Sequence, residues 1–131
     1  MQITVGFAGK KKVVARFAGH TVATDQPAED GGEGSAPSPF ELFLASLATC
    51  AGFFVLSFCQ KRGISTEGLE LRQSLAWDDA AHLATKISLE ITVPADFPEK
   101  YRDSLVKAAN LCTVKRHLQA PPSFEITTRR A

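Results

Sequence analysis

The chain has 131 residues, 44% hydrophobic and 22% charged, with 15 basic against 14 acidic residues and a net charge of +1. That length suits one globular domain able to bury a core of its own. The near-neutral balance, with no block of like charge, excludes electrostatic capture of nucleic acid or of an anionic membrane surface. The three cysteines are not in metal-ligand spacing and no Cys/His cluster accompanies them, so neither a metal nor a cofactor is expected. The stretch Met1-Gln2-Ile3-Thr4-Val5-Gly6 lacks a basic segment followed by an apolar run. A cytoplasmic, reducing setting is therefore expected.

Two short β-type runs, 2–7 and 12–17, flank Ala8-Gly9-Lys10-Lys11 and predict a hairpin. Gly19-His20 turns the chain into a third run, 21–24. Residues 25–37 carry Gly31, Gly32, Gly34, Pro27 and Pro37 among acidic groups, the pattern of a mobile loop. A helix is predicted over 38–62. Ser38 stands three residues before Glu41 as a capping box, Pro39 fits the first helical position, and Gly63 stops the helix after Lys61 and Arg62. At about 24 residues it would be ~36 Å long.

From Phe40 to Cys59 the only charge is Glu41, and the stretch is long enough to span a bilayer. Ser46, Thr49, Gly52 and Ser57 dilute it, and the flanking strand patterns need a helix to pack on. The preferred reading is a buried central helix rather than a membrane span. Being apolar nearly all round, it needs more cover than one short chain supplies, which points to a homodimer.

Two longer strands are predicted near 67–77 and 84–93, joined by a turn at 78–82. Ile87, Leu89, Ile91 and Val93 alternate with Ser88, Glu90 and Thr92, a one-face pattern. Pro98 opens a second helix to about Leu111, and Thr113 is read as the cap of a short third helix ending before Pro121-Pro122. Residues 124–128 alternate as a closing strand.

Cys50 and Cys59 lie about two and a half helical turns apart and so face opposite sides. Cys59, among Phe54, Leu56 and Phe58, reads as a small buried hydrophobe. Cys112 lies directly before Thr113-Val114-Lys115-Arg116, so the free N–H groups of the following helix would favour its thiolate. Cys50, in an apolar helix with no cation in view, would instead have a raised pKa. Phe40, Phe43, Phe53, Phe54 and Phe58 either are core or line an apolar pocket near Cys50.

The run Ala36-Pro37-Ser38-Pro39-Phe40-Glu41-Leu42-Phe43-Leu44-Ala45-Ser46-Leu47-Ala48-Thr49-Cys50 resembles the Pro-x-Glu-Leu helix start and first cysteine of the OsmC/Ohr family. Leu111-Cys112-Thr113-Val114 is similar to that family's second-cysteine turn, and the helix exit Lys61-Arg62-Gly63-Ile64 is similar too. The resemblance implies an α+β fold in one domain spanning 1–131, with a long central helix on a curved, mostly antiparallel sheet, in an intertwined homodimer. Residues 1–37 would form the N-terminal strands and loop, 38–62 the central helix, and 63–131 the strands, second helix, Cys112 turn and closing strand.

It also implies a thiol peroxidase of oxidative-stress defence. Cys50 would attack a small hydrophobic peroxide, Cys112 would resolve the product to a disulfide, and a dithiol (lipoyl or thioredoxin-like in the family) would reduce it. The alternative is a non-catalytic OsmC-like protein binding a small hydrophobic ligand near Cys50. Active members carry a glutamate at the position of Phe40 and bring an arginine to the first cysteine. Here Glu41 is one residue late, a 100° rotation away on a helix, and residues 25–37 hold no arginine. These departures resemble the YhfA-like branch and leave Arg16 and Arg116 as candidate cations.

Overall fold

The computed structural model describes residues 1–131. By internal contacts the chain divides into two compact units, Met1–Ala45 and Ser46–Ala131, with the boundary inside the long helix.

In the first unit three strands, β1 (Thr4–Phe7), β2 (Val13–Phe17) and β3 (His20–Thr24), form an antiparallel meander in the order β1-β2-β3. The β1–β2 turn carries Gly9 and Lys10 at positive φ, and the β2–β3 turn Ala18 and Gly19. Two successive left-handed residues match the twist of a tight hairpin. His20 thus belongs to the strand, paired with Phe17.

Residues 25–37, expected to be a mobile loop, follow a defined course organised by one carboxylate. Asp25 is 1% exposed. It accepts hydrogen bonds from the backbone N–H groups of Gln26, Glu33 and Ser35 and from the Ser35 hydroxyl, the last at 2.6 Å. A Cβ on Gly32 would lie 1.9 Å from the Gln26 carbonyl oxygen, so only glycine fits there. Lys10 and Lys12 both pair with Glu33, at 3.0 and 2.9 Å, which ties the hairpin to the loop.

The Ser35 hydroxyl and the surrounding N–H groups hold the Asp25 carboxyl down to about 2, from an ordinary 3.8. A carboxylate depressed in the folded state stabilises above its ordinary value, and that contribution fades as pH falls through about 2. Asp25→Ala leaves three N–H donors unsatisfied and is expected to speed limited proteolysis within 25–37 at neutral pH. Unchanged cleavage would contradict the organising role.

Helix α1 (Pro39–Lys61) starts and stops where the sequence predicts. The Ser38 N–H donates to Glu41 Oε2 at 2.7 Å and the Glu41 N–H to Ser38 Oγ at 3.2 Å, a reciprocal capping box. At the other end Gly63 takes φ 65°. The Ile64 and Gly63 N–H groups reach back to the Cys59 and Gln60 carbonyls at 2.9 and 3.3 Å, a Schellman stop.

In the second unit α1 buries one stripe, Leu47, Ala51, Val55, Phe58 and Cys59, at the three- and four-residue steps of a helical face. Full enclosure does not occur within this chain, since Phe53 is 59% and Leu56 40% exposed. By length and composition α1 could cross a membrane.

Strands β4 (Glu70–Asp78) and β5 (Leu83–Thr92) pair antiparallel from Glu70↔Thr92 to Asp78↔Leu83, with a bulge between Ala76 and Trp77. Asp78 Oδ1 accepts the N–H groups of Ala80 and Ala81 and so builds the connecting turn. The antiparallel pairing is as expected, but the strands fall into two separate sheets.

After a 3-10 turn at Glu99–Tyr101 come α2 (Arg102–Ala109) and α3 (Thr113–Gln119). The core joins Ala51, Val55, Phe58, Cys59, Phe97, Leu105 and Ala109, and Leu71, Leu89, Ile91 and Val93 pack against it. The ring of Phe58 meets Tyr101 edge-on, and the Arg62 guanidinium sits 3.7 Å above the Phe58 ring. The expected closing strand over 124–128 does not form. Phe124 is 87% and Ile126 95% exposed. Alternation gives the segment one apolar edge, but a strand also needs a neighbour to hydrogen-bond, and the segment joins neither sheet of this chain.

Candidate functional site: two thiols at the start of α3

Cys112 is the N-cap of α3, a role the sequence assigned to Thr113. Its Sγ accepts the Lys115 N–H at 3.3 Å. A capping residue keeps a non-helical backbone while its side chain turns back onto the first helical turn, and Cys112 does so with φ −45° and ψ 116°. The same sulfur lies 3.9 Å from the Leu47 carbonyl oxygen of α1, so the cap is docked one turn from Cys50. Cys112 is 2% exposed, whereas Cys50 is only partly buried.

The two thiols are electrostatically unequal. The Cys50 pKa is lowered, first by the Val114 N–H, then by the Cys112 thiol and by the N–H and hydroxyl of Thr113, which together outweigh burial. The Cys112 pKa is raised, chiefly by burial and then by Cys50 itself, against the opposing Lys115 N–H. This reverses the expectation from the sequence. The peptide N–H groups at the start of α3 serve the thiol across from them as well as the one beside them, and they depress Cys50 without any cation. Cys50 is therefore the thiol these donors favour to ionise, and Cys112 the one that burial disfavours.

The remaining candidates fall elsewhere. Cys59 is 0% exposed in the core, and burial pushes its thiol up. It faces away from Cys50, as helical geometry requires. Glu41 is occupied by its capping box. Arg16 pairs with Thr4 and Thr21 within the meander, its guanidinium lying along Gly6. Arg116 is exposed on α3, and His117 Nδ1 engages the Thr113 carbonyl at 2.7 Å. No three His, Cys, Asp or Glu side chains are arranged to hold a metal ion.

A cavity of about 530 Å³ opens beside Cys112, between α1, β4–β5, α2 and α3. Cys50 does not line it, and neither do Phe40, Phe43, Phe53, Phe54 and Phe58. The pocket reading of these rings is therefore not met at this cavity. Phe40 stacks on Phe43 at 5.7 Å, Phe53 meets Phe54 edge-on at 5.3 Å, and Phe58 is core. Sequence reasoning missed the Val114 N–H and the position of Lys115. The Cys-Thr-Val run after a helix break was the available signal, because the residue before a helix's first turn commonly caps it.

An α+β chain with antiparallel sheets, a long helix bearing Cys50, and Cys112 capping a short helix against it defines a paired-thiol fold. It is the fold of the OsmC-like proteins, and the chain belongs to that family: the family model OsmC, "OsmC-like protein", matches residues 32–127.

Solved structures that share the fold include the following three. A Psychrobacter arcticus protein assigned to osmotic stress and detoxification response is 20% identical with a TM-score of 0.75, over 88% of this chain and 86% of that one. The organic hydroperoxide resistance protein OsmC of Legionella pneumophila is 19% identical with a TM-score of 0.56, over 91% and 90%. The organic hydroperoxide resistance protein OhrB of Bacillus subtilis is 21% identical with a TM-score of 0.51, over 89% and 90%. Among curated protein sequences none matches the chain.

Proposed function

We propose that this protein is a thiol-dependent organic hydroperoxide reductase. The observation that carries the reading is the polarity of the thiol pair: Cys50 lowered by the Val114 and Thr113 N–H groups, Cys112 raised and within reach of it. Only a thiolate is an effective nucleophile, and its resolving partner should stay protonated until it is needed.

The Cys50 thiolate attacks the terminal oxygen of R–O–OH. The O–O bond breaks, the sulfur becomes a sulfenic acid, and RO⁻ leaves and takes a proton as the alcohol. The Cys112 thiol then condenses with the sulfenic acid, forming the disulfide and releasing water. An external dithiol returns both cysteines to thiols and leaves as its own disulfide. Two relatives of the same fold are named organic hydroperoxide resistance proteins, which supports the choice of substrate.

The reading includes a homodimer in a reducing, cytoplasmic setting. The exposed Phe53 and Leu56 of α1, and the unpaired 124–128 segment, are the surfaces a second copy would cover.

One equivalent of cumene hydroperoxide is expected to remove two titratable thiols per chain, with a Cys50–Cys112 disulfide found by peptide mass mapping. In Cys112→Ser the reaction is expected to stop at a sulfenic acid on Cys50 that dimedone traps. Thiols that survive micromolar peroxide, or a disulfide that uses Cys59, would overturn the assignment.

A further inference from the structure

The cavity beside Cys112 has a composition the thiol chemistry does not require. Leu47, Leu89 and Ile91 belong to its more buried lining, whereas Ile87, Val106 and Leu118 are 38 to 53% exposed and form its mouth. Its volume of about 530 Å³ falls within the range of small-molecule sites, which are mostly apolar with a few placed polar groups. Lys86 and Lys115 line it, and no aspartate or glutamate does. The Lys115 ammonium, in an exposed contact, donates to the neutral side-chain oxygen of Asn110 rather than to a carboxylate. Its positive charge is therefore held at the edge of an apolar chamber without a counter-charge. A cation in that position favours an anion that brings its own apolar body.

We infer that this cavity binds a free amphiphile with a single anionic head and an unbranched apolar chain, the chain between β5 and α2 and the head at Lys115, with Lys86 at the rim. The site is distinct from the peroxide-reacting sulfur, because Cys50 is not part of its lining. Cys112 is, so the occupant lies against the buried thiol and along the helix that Cys112 caps.

The probe is dodecanoate, kept below its micelle concentration and titrated calorimetrically into the reduced, full-length protein. Saturable binding of one dodecanoate per chain is expected, with dodecanol weaker and dodecyltrimethylammonium not bound. Lys115→Ala is expected to weaken binding about tenfold or more, the worth of one charge-assisted hydrogen bond, and Lys115→Arg to restore most of it. Val106→Trp places a large ring at the exposed mouth, where the fold tolerates it, and is expected to abolish binding while circular dichroism stays unchanged.

Equal affinity for the cationic amphiphile, binding indifferent to both Lys115→Ala and Val106→Trp, or no binding at all would overturn the inference. The last outcome includes a second copy of the chain already filling the cavity. The same titration on Cys50→Ser separates this site from the peroxide reading. That variant cannot reduce peroxide yet is expected to bind dodecanoate as the parent does.

Discussion

Cys50→Ser is expected to slow peroxide consumption by on the order of a thousandfold or more, since a serine hydroxyl is not ionised at neutral pH and removes the nucleophile outright. The pH dependence carries the finer test. The Val114 N–H is the largest influence holding the Cys50 thiol below the ordinary thiol range, and burial holds Cys112 above it. The thiolate of Cys50 thus forms at lower pH than an ordinary cysteine's, and that of Cys112 at higher pH. Stopped-flow peroxide decay should rise with pH and level off below the ordinary thiol value. Iodoacetamide should label Cys50 ahead of Cys112 throughout that window, with peptide mass spectrometry as the readout. If Cys112 is labelled first, or if Cys50→Ser keeps the parental rate, the donor arrangement at α3 has been misread.

Leu105→Ala is expected to produce the largest loss of stability. Leu105 is 1% exposed and lies in the cluster with Val55, Phe58, Cys59 and Phe97. Truncating a leucine there loses its transfer free energy and leaves a void that close-packed neighbours fill only in part, for a cost of about 2–5 kcal/mol. That is a large share of the ~5–15 kcal/mol that holds a typical domain together. Urea unfolding followed by far-UV circular dichroism measures it. A loss under about 1 kcal/mol would mean that α2 can collapse onto α1 without the side chain. Because α2 leads directly into the Cys112 turn, the variant should also weaken the contact between Cys112 and α1.

Much of the fold was legible because its causes are local. The Ser38–Glu41 box and Gly63 delimit α1 within a residue or two, and the hairpins follow from turn residues next to alternating runs. The opposite orientations of Cys50 and Cys59 follow from helical pitch alone. The 25–37 segment defeated the composition rule, because glycines and prolines report permissiveness and say nothing of a carboxylate that several N–H groups converge on. The 124–128 segment defeated the alternation rule, because alternation describes a strand's face and not its neighbour. The Cys112 cap was missed because threonine is the commoner N-cap, while the sulfur in the preceding residue had the better reach to the Lys115 N–H.

By itself, then, the sequence determined the long helix, the hairpins and the two cysteines at its family's characteristic positions. It also set Glu41 one residue late for the family's glutamate and left residues 25–37 without an arginine, with Arg16 and Arg116 as open candidates. What only the tertiary structure decided is which sulfur the backbone donors favour as a thiolate. The donors that lower Cys50 sit on Val114 and Thr113, far along the chain, and act through space once α3 docks against α1. Backbone N–H groups are present in every sequence and carry no residue signature, so their aim becomes visible only when the chain has folded.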